Sequence, residues 1–186
     1  MAFAKSNHGD LGGRDLLDIV EGVDALAARL PIDRGRVGML GQSYGGYFAN
    51  LAATRFSARF AAVVSLYGIA NWTSFIGQTD IPVENSEVHW ALWCWDRANH
   101  ERCRMASPVT YIEGAKSPTL ILQGDADKRV PKAQSDEMYA ALTWAKAPVE
   151  YVVFPREEHG FEERAHRVEA ARRILDWFER HLAPAQ

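Results

Sequence analysis

Apolar residues follow two different periods along this chain, and segments with the two periods alternate. Four short runs have consecutive apolar residues at their centres, as expected for strands that are buried on both faces of a parallel sheet. They read RVGMLGQ, FAAVVSLYG, SPTLILQGD and VEYVVFP, at residues 36–42, 60–68, 117–125 and 149–155. Between these runs, apolar residues recur at intervals of three and four, which is typical of amphipathic helices.

Helices are predicted beside each of these strands. The first runs from about Gly13 to Leu30 and ends before Pro31; two others cover residues 45–55 and 131–145. Strands that alternate with helices predict an α/β fold, with a mainly parallel sheet of about four strands flanked by helices. The last helix is expected to bury one apolar face, made of Val168, Ala171, Ile174, Leu175, Phe178 and Leu182.

Composition and charge limit the classes of partner. A chain of 186 residues suits one domain, and its net charge of −3 gives no electrostatic reason to expect nucleic acid or an anionic membrane as a partner. No apolar run approaches the ~20 residues of a membrane span, and the N-terminal residues contain no signal-peptide core. We therefore expect a cytoplasmic protein without nucleic-acid or membrane partners.

The two cysteines raise the question of metal binding. Cys94 and Cys103 flank His100, but two thiols and one imidazole at this irregular spacing match no structural zinc signature. A disulfide is possible in principle, although a cytoplasmic location argues against it. We predict two reduced thiols, and no metal or organic cofactor.

Residues able to perform chemistry follow three of the four predicted strands. Ser43 follows the first, the segment GDADKRVP the third, and PREEHGF the fourth. Ligands in open α/β sheets bind at the carboxyl ends of the strands, and the order Ser, Asp, His is that of nucleophile-elbow hydrolases. Ser43 is the candidate nucleophile and His159 the candidate base, whereas Asp125 and Asp127 both compete to orient the imidazole.

The glycines around Ser43 predict a sharp turn from strand to helix. Such an elbow holds the serine in a strained conformation and exposes its hydroxyl. Gly41, Gly45 and Gly46 are expected to keep the crossing strand and helix clear of side chains. The backbone N–H of Tyr44, at the start of the helix, would then face a developing oxyanion.

Three segments, RVGMLGQSYGGYFA, SPTLILQGDADKRVPKAQSDEMYAAL and EYVVFPREEHGF, resemble the catalytic domain of the prolyl oligopeptidase family of serine peptidases. The similarity is greatest to the acylaminoacyl-peptidase and dipeptidyl-peptidase branches. It implies that Asp127, rather than Asp125, is the acid of the triad. It also implies that Ile69, Trp72 and Phe75 form an apolar wall of the substrate pocket, within an aromatic segment at residues 69–116. The alternative for these three side chains is core packing.

The resemblance also implies that residues 1–186 are one partial α/β-hydrolase domain. The family's domain has four more strands before this region and a β-propeller that controls access. The second oxyanion donor belongs to the loop after its third strand. Without a neighbouring strand, residues 37–41 would be an exposed sheet edge, which predicts a homo-oligomer that pairs there. The sequence is also compatible with a gene fragment.

Three functions are compatible with these residues. The first is a serine hydrolase of prolyl oligopeptidase type that acts on a short peptide, an acylated amino acid or a small ester through an acyl-enzyme. The second is a small-ester or lactone hydrolase of the same fold. The third is a weakly active or inactive remnant that serves as an assembly module.

Overall fold

A computed structural model describes residues 5–183 of this chain. One parallel sheet has the strand order β1-β2-β3-β4, which confirms the predicted α/β fold and its four strands. The strands are β1 (Gly38–Gln42), β2 (Ala62–Leu66), β3 (Thr119–Gly124) and β4 (Val149–Phe154). All three strand pairs are parallel, so the carboxyl ends of the four strands lie at the same end of the sheet.

The four long helices agree with the sequence prediction in their order along the chain, with differences at their ends, and the shorter helices lie within residues 69–116. They are α1 (Arg14–Ala27), α2 (Tyr44–Ala53), α3 (Trp72–Phe75), α4 (His100–Ala106), α5 (Lys132–Trp144) and α6 (Arg164–Leu182), together with a π-helix at Glu84–His89. Helix α1 ends before Leu30, which is exposed. Within residues 5–183, no helix combines the length and apolar character that crossing a membrane requires.

The two faces of the sheet are covered by different helices. Strands β2 and β3 are buried at every position, because helices cover both faces of the sheet. Val63 and Ile121 pack with α2 and α5 on one face. Val64 and Leu122 pack with α6 on the other.

The predicted buried face of α6 is wrong for three of its residues. Val168 and Leu175 are 61% and 62% exposed, and Ala171 is exposed as well. The helix instead buries Trp177, its largest apolar side chain, and Ala170 two turns earlier. Filling the core with the indole rotates the helix away from the orientation that the aliphatic residues alone suggested. The other predicted face residues, Ile174, Phe178 and Leu182, remain packed against the core at its margin.

The prediction of two reduced thiols is also wrong. Cys94 and Cys103 form a disulfide, with their Cα atoms 5.7 Å apart. The chain reverses direction between them, because Asn99 closes a turn onto Asp96 and α4 then carries Cys103 back towards Cys94. Both cysteines are buried in the cluster that contains Trp72, so the bond is part of the aromatic core of residues 69–116.

Candidate active site

Ser43 occupies a strained turn between β1 and α2. Its backbone has φ 57° and ψ −119°, a conformation that non-glycine residues rarely adopt. The Ser43 N–H donates to the carbonyl of Leu66 over 3.0 Å, and its own carbonyl accepts from the Tyr47 N–H over 2.9 Å. Because the sheet and the helix hold both sides of the turn, the strain is maintained and the hydroxyl points out of the sheet.

Two of the three glycines expected to clear this crossing do so. A Cβ atom on Gly41 would lie 2.1 Å from the Gly45 carbonyl oxygen, and one on Gly46 would lie 2.5 Å from the Leu66 carbonyl oxygen. The expectation is wrong for Gly45, because a Cβ atom there would meet no atom within 4 Å. Gly41 approaches the backbone of Gly45, whereas a side chain on Gly45 would point into open space.

The three candidate triad residues form one hydrogen-bonded chain. His159 Nε2 lies 2.8 Å from Ser43 Oγ, and His159 Nδ1 lies 2.8 Å from Asp127 Oδ2. The hydroxyl, imidazole and carboxylate come from the ends of β1, β4 and β3, respectively. The parallel strands therefore bring together groups that are up to 116 positions apart in the sequence.

Of the two aspartates that the sequence left in competition, only Asp127 contacts His159. Its carboxylate is buried, and Oδ1 accepts from the backbone N–H groups of Arg129 and Val130 over 2.9 Å each. These bonds leave Oδ2 to face the imidazole. Asp125 is exposed, and its Oδ1 accepts from the backbone N–H of Arg156 over 2.6 Å.

Tyr44 is the first residue of α2, so its N–H has no acceptor within the helix. This N–H belongs to the residue that follows Ser43, as an oxyanion donor at an elbow must. The Tyr44 ring packs against Phe48 at 4.8 Å between centroids. Burial, followed by the hydrogen bond to Asp15, raises the pKa of the Tyr44 phenol well above its ordinary value.

A cavity of about 280 Å³ opens beside Ser43 and His159. The three predicted pocket residues, Ile69, Trp72 and Phe75, all line it. The same side chains are almost fully buried in the aromatic cluster, so the core-packing alternative describes them equally well. One layer of aromatic side chains is therefore both core and cavity wall.

Four polar residues in the cavity wall were missed by the sequence analysis. They are Asn7, Asn85, His89 and Arg129. The Arg129 guanidinium is held by Asp80, with 2.7 Å between Nε and Oδ1. Only Arg129 had a sequence signal, its place in the loop after β3; the others come from segments whose patterns mark no function.

A buried carboxylate supports the loop behind His159. Glu157 accepts from the N–H groups of Glu162 and Glu163 over 2.6 and 2.9 Å, and from His166 Nδ1 over 2.7 Å. Burial alone would raise the pKa of Glu157, but the hydrogen bonds from Glu162, His166 and Glu163 outweigh it and lower the pKa below its ordinary value. The loop that carries His159 is thus tied to the start of α6.

The chain is similar in sequence to known proteins. A model of the prolyl oligopeptidase family matches residues 1–185. The chain is 32% identical to the uncharacterized peptidase YuxL of Bacillus subtilis (strain 168), over 97% of this chain and 28% of that protein. It is 28% identical to the acylamino-acid-releasing enzyme of Rattus norvegicus, over 94% of this chain and 24% of the enzyme.

The chain is also similar to a solved structure. The chain superposes on the uncomplexed acylaminoacyl peptidase of Pyrococcus horikoshii with a TM-score of 0.90 and 30% identity. The match covers 100% of this chain and 30% of the peptidase. The chain therefore spans less than a third of the length of each of these proteins.

Proposed function

The chain belongs to the prolyl oligopeptidase family, and from this premise we propose that it is a serine hydrolase that cleaves peptide or ester bonds through an acyl-enzyme. The hydrogen-bonded series Ser43–His159–Asp127 is the observation that carries the proposal, with 2.8 Å at each step. The strained conformation of Ser43 supports it, because such strain is characteristic of a nucleophile elbow.

In the acylation step, Ser43 Oγ attacks the substrate carbonyl carbon while His159 Nε2 accepts the hydroxyl proton. Asp127 accepts the Nδ1–H, which sets the tautomer that leaves Nε2 free to act as a base, and it stabilises the imidazolium that forms. The Tyr44 N–H donates to the carbonyl oxygen as that oxygen becomes negative.

The tetrahedral intermediate then loses its leaving group. His159 returns the proton to the departing nitrogen or oxygen, and the acyl group remains on Ser43. In the second half of the reaction, His159 removes a proton from water, which attacks the acyl carbon. The carboxylic acid product leaves as Ser43 Oγ regains its proton, so neither a metal ion nor an organic cofactor takes part.

The cavity beside Ser43 indicates the size and character of the acyl group. Ile69, Trp72 and Phe75 provide an apolar wall, and a volume of about 280 Å³ suits one amino-acid side chain with its adjoining backbone. We propose a short peptide, an acylated amino acid or a small ester as substrate. The name of the acylamino-acid-releasing relatives agrees with the second of these.

Fluorophosphonate labelling of the folded protein tests the proposal, with Ser43→Ala and His159→Ala as controls. Stoichiometric labelling that both substitutions abolish is expected. Absence of labelling in a wild-type protein that unfolds cooperatively would contradict the proposal. Turnover of p-nitrophenyl acetate compared with an aminoacyl p-nitroanilide then separates a small-ester hydrolase from a peptidase.

The sheet edge favours a second proposal, that copies of the chain assemble. Strand β1 pairs only with β2 among the described residues, and Leu40 within it is 49% exposed. An apolar edge with unpaired N–H and C=O groups favours pairing with another strand. We propose a homo-oligomer that pairs near residues 37–41; in an inert remnant, this assembly would be the function. A monodisperse monomer by light scattering at micromolar concentration would contradict it.

A further inference from the structure

A candidate triad residue follows three of the four strands, and Tyr67 follows the fourth, β2. Tyr67 is only 6% exposed although it lies at the open end of the sheet. Its φ of 39° falls in the left-handed region, where a bulky residue is rare. Its N–H donates to the Leu122 carbonyl over 2.8 Å, so the hydrogen bonding of the sheet maintains this conformation. Strain of this kind concentrates at functional sites, which indicates a function for the Tyr67 side chain.

The Tyr67 ring packs against the imidazole of His159. The two ring centroids are 4.8 Å apart and the ring planes are inclined by 61°. Phe161 also packs against the Tyr67 ring, with 5.8 Å between centroids and nearly perpendicular planes. The imidazole is therefore bounded by an aromatic surface that is itself held in place.

The phenol hydroxyl adds one hydrogen bond next to the nucleophile. Tyr67 O–H donates to Gln42 Oε1 over 2.9 Å, and Gln42 immediately precedes Ser43. Burial, followed by the negative charge of Asp127, raises the pKa of Tyr67 above its ordinary value. The phenol therefore stays protonated and keeps its hydrogen bond at neutral pH.

We propose that Tyr67 is a positioning residue for the proposed hydrolase, whose ring confines His159 to the orientation that joins Ser43 to Asp127. The hydrogen bond from Nδ1 to Asp127 fixes one nitrogen but leaves the imidazole free to swing about that bond. A quarter of the His159 side chain is exposed, so solvent offers room for such movement. Contact with Tyr67 closes one side of this range and keeps Nε2 directed at Ser43 Oγ.

Two substitutions separate the ring from its hydroxyl group. Tyr67→Phe keeps the ring and is expected to keep most of the wild-type kcat. Tyr67→Leu removes the ring, and we expect kcat on p-nitrophenyl acetate to fall about 10- to 100-fold with KM unchanged, since small misplacements of a catalytic group have effects of this size. Tyr151→Leu is a matched control, because Tyr151 is a half-buried tyrosine on β4 whose phenol bonds to Asp136.

The residual rate of the His159→Ala variant separates a positioning role from a general structural role. In His159→Ala, adding Tyr67→Leu should leave the residual rate unchanged, because groups that act as a unit are non-additive. A further loss in that background would overturn the proposal. So would wild-type kcat in folded Tyr67→Leu, or equal losses in the Phe and Leu variants.

A second measurement does not depend on turnover. The Nδ1–H proton of His159 that bonds to Asp127 should give a far-downfield proton resonance, assigned by its loss in His159→Ala. The resonance is expected to persist in Tyr67→Phe and to broaden or disappear in Tyr67→Leu. A sharp resonance in Tyr67→Leu would overturn the positioning role. If the wild-type protein shows the resonance but does not react with the fluorophosphonate, the proposed hydrolase function is overturned and the positioning role of Tyr67 is not.

Discussion

The phenol O–H of Tyr44 donates to Asp15 Oδ2 over 2.6 Å, which ties the residue after the elbow to helix α1. Asn7 Nδ2 donates to the same carboxylate oxygen over 3.3 Å. Asp15 Oδ1 accepts from the N–H of Leu16, a fully buried residue of α1. Helix α1 therefore supports the start of α2, where the proposed oxyanion donor lies, through one side-chain hydrogen bond.

Removal of this bond should slow the proposed reaction. In Asp15→Ala, the Tyr44 side chain loses its acceptor, and we expect the free energy of unfolding to fall by about 1–3 kcal/mol. Because Tyr44 can then shift relative to the oxyanion, kcat should fall about tenfold or more, with little change in KM. Urea unfolding and steady-state kinetics measure both effects.

Two variants control for this expectation. Tyr44→Phe should reproduce the loss of kcat, and the double variant with Asp15→Ala should add little to either single change. Asp18→Ala removes an exposed carboxylate from the same helix and should leave kcat unchanged. Additive losses in the double variant would show that Asp15 acts by a route other than Tyr44.

The elbow glycines should differ sharply in their tolerance of alanine. Gly46→Ala places a methyl group against the Leu66 carbonyl, and we expect a loss of stability of about 3 kcal/mol or more, as for severe overpacking. Gly45→Ala points into open space within the first turn of α2 and should be neutral or stabilising by up to about 1 kcal/mol. Thermal unfolding of the two variants gives the comparison, and equal losses would contradict it.

Acid should remove the contribution of Glu157 to stability. Its hydrogen bonds hold the pKa in the folded state below the ordinary value of 4.5. The stabilisation is therefore complete above the ordinary pKa and is lost as the pH falls through the lower folded value. Glu157→Gln should accordingly be less stable than wild type at neutral pH, and the difference should shrink below about pH 4.

Urea unfolding of wild type and Glu157→Gln across this pH range tests the sign. The substituted amide keeps the size of the side chain but supplies one acceptor where the carboxylate supplies two. A difference that stays constant from neutral to acid pH would mean that the loop depends on the shape of Glu157 and not on its charge.

Reduction of the disulfide should loosen the aromatic segment. Closing a loop of this length contributes about 2–3 kcal/mol to stability in the chain-entropy description. We expect the free energy of unfolding of the wild type to fall by this amount on reduction. Reductant should have no effect on the double variant Cys94→Ser, Cys103→Ser. Urea unfolding with and without reductant measures it. Mass spectrometry of the alkylated protein shows the bond state.

Much of the fold could be predicted because it depends on local order along the chain. The strands are marked by continuous apolar runs and the helices by a period near 3.6, and both properties are local. The ends of parallel strands share one edge of the sheet, so the approach of Ser43 to His159 followed from topology. The catalytic roles of these residues, and of Asp127, stay predictions.

Features that depend on how surfaces fit together were decided only by the tertiary structure. Helix α6 is oriented to bury Trp177, because packing selects the face that fills the core best. Periodicity alone cannot rank two overlapping apolar faces. Cys94 and Cys103 met because the chain reverses between them. Tyr67 had no sequence signal, since its contacts with His159 and Gln42 arise from three separate strand ends. Local sequence determines which elements form, whereas the contacts among their side chains depend on packing across the whole domain.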